Sequence, residues 1–164
     1  MAGPMRRNMA DRLNREIAKS KALLSDPLRS LIATLQERFQ LQDWEIELRR
    51  CSAADVPRRE DGYRTGNASV TMGRYNRAAT IHLATDYEPE DGEIAFSDEA
   101  SIAHEMAHLF LWDLMRVVHD SLGWMQPHVR QMTERLLDEQ EEMICNILAA
   151  DATGERPKPF WEGE

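Results

Sequence analysis

The chain has 164 residues, 42% of them hydrophobic and 30% charged, with a formal net charge of -9. That size suits one domain with a real core and one active site, and the negative balance argues against a general nucleic-acid binder. No apolar run approaches the ~18 residues of a membrane span, and MAGPMRRNMADRLNRE lacks the apolar stretch of a secretory signal. Cys51 and Cys145 lack CxxC spacing, so reduced thiols in a cytoplasmic protein are expected.

Residues 1–25 are expected to form a basic helical arm. Leu13, Ile17 and Leu24 recur at roughly helical spacing. From Met1 to Lys21 six basic residues face two acidic ones, a balance of +4. A solvated helix face is the simplest reading; contact with nucleic acid or an acidic partner is the alternative.

The main domain is expected over 26–152. Ser25 or Asp26 can cap a helix with Pro27 at its first position, and Leu28, Leu31, Ile32, Leu35 and Phe39 carry its apolar face to about Gln40. Trp44, Ile46 and Leu48 then alternate with charged residues, the pattern of a half-buried strand. After a polar loop, ASVTMGRYNRAATIHLATDY reads as two strands turning at YNR, with Ala79, Ile81 and Leu83 on one face. Ser97 caps the next helix, whose first turn holds Asp98 and Glu99 and whose apolar stripe is Ile102, Met106, Leu109, Phe110, Leu114 and Val117. A last helix runs from Pro127 to about Ala150; its ICNILAA segment is apolar nearly all round and is expected to be buried on every side. Residues 153–164 form a turn-rich tail.

The stretch HEMAH, His104 to His108, lies within the third helix. On a helix i and i+4 share a face, so the two imidazoles aim at a common point, and Glu105 stands about 100° further round. This is the arrangement in which two neutral imidazoles hold zinc and a carboxylate serves as general base. With five histidines in the chain, the pattern arises by chance in roughly one or two of a hundred such chains. The alternative is a helix whose histidines bond locally.

A catalytic zinc takes a third protein ligand and keeps one position for water. Leu111 and Leu114 stand where the metzincin extension requires glycine and histidine or aspartate. The leading candidate is Glu142, with Glu139, Glu141 and His119 as alternatives. Asn146, four residues beyond Glu142, is the polar side chain of an otherwise apolar turn and can hold a ligating histidine by its other nitrogen. His82 reads as a surface or core residue rather than a ligand.

HEMAH followed by Glu142xxxAsn146 resembles the gluzincin branch of zincin metallopeptidases. The residues Glu142, Cys145, Asn146, Leu148 and Ala149 are similar to the ExxANxFA pattern of ImmA/IrrE-like peptidases, with Cys for Ala and Leu for Phe. The order of elements from Leu28 to Ala150 also resembles small metallopeptidases of phages and prophages. A weaker resemblance is to the SprT-like group of DNA-associated proteases, with His119 as third ligand; Asp120 stands where that group commonly has glycine.

The gluzincin resemblance implies an α+β minimal zincin domain, with a small twisted sheet of three strands or slightly more, packed on the HExxH helix and a second ligand-bearing helix. It implies Zn2+ as cofactor, His104, His108 and Glu142 as ligands, Asn146 behind them, and Glu105 as the base that activates water against a peptide bond. A protein or peptide substrate is expected, with no membrane partner. The strand Ala79 to Ala84 is expected at the sheet edge, open to an extended peptide. His119, His128, Tyr75 and Tyr87 are the candidates for stabilising the oxyanion. A zincin fold kept as a binding module without turnover is the remaining alternative.

Overall fold

A computed structural model describes residues 26–57, 67–73, 76–88 and 96–155. The expected basic arm, residues 1–25, and the tail beyond 155 lie outside the described residues. Among the described residues the fold is α+β: three α-helices and a three-stranded mixed sheet.

Helix α1, Pro27–Arg38, starts as its sequence demands, with Asp26 Oδ1 accepting the Leu28 N–H at 3.1 Å and Pro27 in the first turn. Leu28, Ile32 and Leu35 bury its apolar face. The helix ends at Arg38, two residues before the expected Gln40, because Gln40 takes a left-handed φ of 55° and reverses the chain. Phe39 and Leu41 on either side of that turn are buried.

Strands β1 (Glu45–Cys51), β2 (Ala68–Met72) and β3 (Ala78–Ala84) assemble in the order β1-β3-β2. β1 runs parallel to β3 and β2 antiparallel to it. At the β2–β3 turn a Cβ on Gly73 would run into the Asn76 side chain, which would have to move. Ala79, Ile81 and Leu83 share one buried face, as their alternation requires.

β3 is the central strand, which corrects the expectation of an edge. Its two faces are both at least half-covered, whereas β1 is studded with charge at Glu45, Glu47, Arg49 and Arg50. The strand with the least solvated sequence takes the middle, and β1 and β2 become the edges among the described residues.

Helices α2 (Asp98–Ser121) and α3 (Pro127–Thr153) run antiparallel through the turn Leu122–Trp124. Ser97 caps α2 by accepting the Ala100 N–H at 3.1 Å. Gly154, at φ 77°, closes α3 with its N–H on the Ala150 carbonyl. One face of α2 joins α1 and the sheet in the main core through Ile102, Ala103, Met106 and Leu109.

Two expectations of burial fail, each for a geometric reason. Phe110, Leu114 and Val117 were expected in the core stripe, yet they are 47%, 60% and 61% exposed. A 24-residue helix spans ~36 Å, while a seven-residue strand covers ~23 Å. The C-terminal end of α2, beyond the Asp113 that Arg77 just before β3 reaches at 2.9 Å, therefore extends past the sheet. Likewise α3 buries Cys145 and Ala149 but exposes Ile144 and Ile147, because the bulk of its packing is against α2 on one side.

Candidate metal centre

The two histidines sit where α2 is best covered. Ala103 and Ala107 beside them are small and fully buried, so α3 can approach α2 closely. Ala107, Leu111 and Cys145 form the contact. This approach carries Glu141, Glu142, Cys145 and Asn146 of α3 up to the imidazoles.

His104 Nε2 and His108 Nε2 lie 3.1 Å apart. Glu142 reaches both, with Oε2 at 3.2 Å from His104 Nε2 and Oε1 at 3.6 Å from His108 Nε2. Donors bound at 2.0–2.2 Å to one tetrahedral zinc stand about 3.3–3.5 Å apart. The spacing of the three groups therefore fits such an ion, and the group His104, His108 and Glu142 could bind a metal.

The other ring nitrogens are both engaged. His104 Nδ1 donates to Asn146 Oδ1 at 3.0 Å, and His108 Nδ1 donates to Glu141 Oε1 at 2.9 Å. With both protons on Nδ1, both Nε2 atoms turn lone pairs toward the same point. Two such lone pairs at 3.1 Å repel unless a cation stands between them, whether a metal ion or a proton.

The electrostatics agree. Burial opposes a charge on His108, but the hydrogen bonds of its Nδ1 side with Cys145 and Glu141, and the nearby negative charge, outweigh burial and push its pKa up to about 11. Cys145 is itself raised by burial and is a neutral thiol at physiological pH, so the Glu141 carboxylate is the part of this effect that persists there.

Glu105 is buried, and burial raises its pKa above the usual carboxylate range; the charges of His104 and His108 and a hydrogen bond from the Val70 backbone act against that rise. Val70 lies on β2 opposite Ile81. The neighbouring bonds, Gly73 N–H to Ala78 O and Ala84 N–H to Asn67 O, place Val70 at a position whose N–H turns away from β3. Glu105 is thus buried against β2, with His104, His108 and Glu142 close enough to influence its charge.

Of the other candidates, Glu139 is turned outward to Arg135 at 3.1 Å. His119 is eleven residues past His108, ~16 Å along the helix, and faces Asp138 at 3.9 Å. His128 lies in the first turn of α3, ~21 Å before Glu142. Tyr75 is outside the described residues, and Tyr87 is half-buried just past β3. His82 meets Thr71 Oγ1 at 3.2 Å on the sheet face opposite Ile81, away from the site.

Two residues of the site were not assigned their roles from sequence. Glu141 weighs there only as an alternative ligand, and Cys145 only as part of a pattern. The signal was present: Glu141, Cys145 and Leu148 follow at four- and three-residue steps and share the α2-facing side of α3. A second group, His108, Glu141 and Cys145, also brings three donors within 4.8 Å.

No family model matches the chain, and no curated protein or solved structure is significantly similar to it. No helix among the described residues is long and apolar enough to cross a membrane.

Proposed function

We propose that this protein is a zinc-dependent metallopeptidase of the gluzincin type, cleaving a cytoplasmic protein or peptide. The observation that carries the reading is the convergence of His104 Nε2, His108 Nε2 and the Glu142 carboxylate, with both Nδ1 atoms held by acceptors from α3. Three protein donors with a side chain that is 34% exposed among them match a catalytic rather than a closed structural site.

Zinc held there would supply Lewis acidity toward a carbonyl and a water acidified to a pKa of about 7. Glu105 would accept that water's proton and return it to the leaving amine. Its raised pKa suits the exchange, since a base that must also act as an acid works best near the operating pH. Asn146 and Glu141 would fix the tautomer and the aim of the two imidazoles.

The test is zinc uptake by protein prepared without chelators, followed by cleavage of a mixed peptide library read by mass spectrometry. The expected result is one equivalent of zinc in both wild type and Glu105→Gln, with cleavage lost by ~10²-fold or more in the variant. Failure of wild type to take up zinc, failure of the zinc-loaded wild type to cleave, or full activity in the variant overturns the reading.

A further inference from the structure

On the far side of the His108 ring from Glu142, a second set of donors converges. Cys145 Sγ lies 3.4 Å and Glu141 Oε1 2.9 Å from His108 Nδ1, and the three donors fall within 4.8 Å of one another. Adjacent nitrogen and thiolate ligands of a tetrahedral zinc stand about 3.6 Å apart. A buried free cysteine is ordinarily a small apolar filler. Here its sulfur instead faces a ring nitrogen and a carboxylate, and Cys145 and His108 are both buried at the helix contact.

We propose that Cys145, Glu141 and His108 Nδ1 form a second metal position for a thiophilic divalent ion, sharing His108 with the first and switching that site off when filled. The inference rests on the metal assignment made above for His104, His108 and Glu142. The donor set differs in kind: the first position offers nitrogen and oxygen only, while the second adds a sulfur, which favours softer ions and excess zinc over magnesium or calcium.

The step balances without redox change. A divalent ion forms bonds to Sγ, Nδ1 and Oε1, while the Cys145 S–H and the His108 Nδ1–H break and both protons pass to solvent. With both positions filled, His108 is an imidazolate bridging the two ions. Glu141 then no longer accepts the Nδ1–H that orients the ring, and the first ion shares its ligand with a competitor.

Cobalt separates the two positions, because a thiolate ligand adds an intense near-ultraviolet charge-transfer band that nitrogen and oxygen ligands do not. The full chain is titrated with Co2+ and followed by absorption. The expected result is weak visible bands through the first equivalent, then the charge-transfer band through the second. That band disappears in Cys145→Ser and survives in Cys51→Ser. Peptide cleavage by the cobalt-loaded wild type should fall as the band grows.

Absence of the band at two or more equivalents overturns the proposal, as does its persistence in Cys145→Ser. Growth of the band with the first equivalent overturns the order of filling and, with it, the metal assignment above. Wild-type protein loaded with two equivalents of cadmium-113 gives a reading independent of how the variant folds. Two resonances, one strongly downfield in the thiolate range, support the second position, and two in the nitrogen and oxygen range overturn it.

Discussion

Glu141 accepts the Nδ1–H of His108 at 2.9 Å, while its neighbour Glu142 faces the Nε2 of the same ring at 3.6 Å. Two consecutive carboxylates of α3 thus address opposite nitrogens of one imidazole. The first accepts the ring's Nδ1–H, and the second joins the group of three donors that could hold a metal.

Replacing Glu141 by Ala should therefore lower zinc affinity by about 10–100-fold, the usual effect of losing the partner of a ligating histidine. Glu139→Ala, at a side chain turned to Arg135, should leave affinity unchanged. Competition with a chromophoric chelator measures both; equal effects would remove the distinction between the two carboxylates.

Zinc uptake should release protons and strengthen with pH. His108 is pushed up to about 11, so the metal-free site holds a proton at neutral pH that zinc must displace. Affinity should then rise about tenfold per pH unit throughout the range below that folded pKa. For metal-free protein the sign is opposite. A folded pKa raised above the unfolded value stabilises fully below ~6.5 and loses that contribution as pH rises toward the folded value. Calorimetry in buffers of differing ionisation enthalpy counts the protons, and a count of zero would contradict the protonated site.

His119→Ala should leave both zinc stoichiometry and affinity at wild-type levels, since the side chain faces Asp138 well beyond the three donors. Loss of zinc in this variant would restore His119 as a ligand. Metal analysis after gel filtration decides it.

The same helix should show two different costs for leucine truncation. Leu109 is buried in the main core, and Leu109→Ala should destabilise by about 2–5 kcal/mol. Leu114 is exposed, and Leu114→Ala should stay within about 0.5 kcal/mol. Urea unfolding of the metal-free protein checks both; comparable losses would place Leu114 in a covered interface.

Much of the architecture was readable without coordinates because it depends on near neighbours. Asp26 and Ser97 cap because their side chains reach backbone N–H groups two and three residues on. His104 and His108 share a face because a helix repeats every 3.6 residues, and the strand alternation of Ala79, Ile81 and Leu83 is equally local. What periodicity cannot report is how far a partner surface extends. Leu114 and Val117 fit the apolar stripe of α2 yet stand exposed beyond the sheet, and Ile147 is exposed where Cys145 is buried.

The His-Glu pairing within HEMAH and the candidacy of Glu142 and Asn146 came from sequence alone, since spacing along one helix is a matter of chain geometry. The place of β3 between β1 and β2, the approach of α3 allowed by Ala107, and the hold of Glu141 on His108 required the tertiary structure. These depend on contacts between segments 30 or more residues apart, where packing rather than local backbone preference selects which atoms meet.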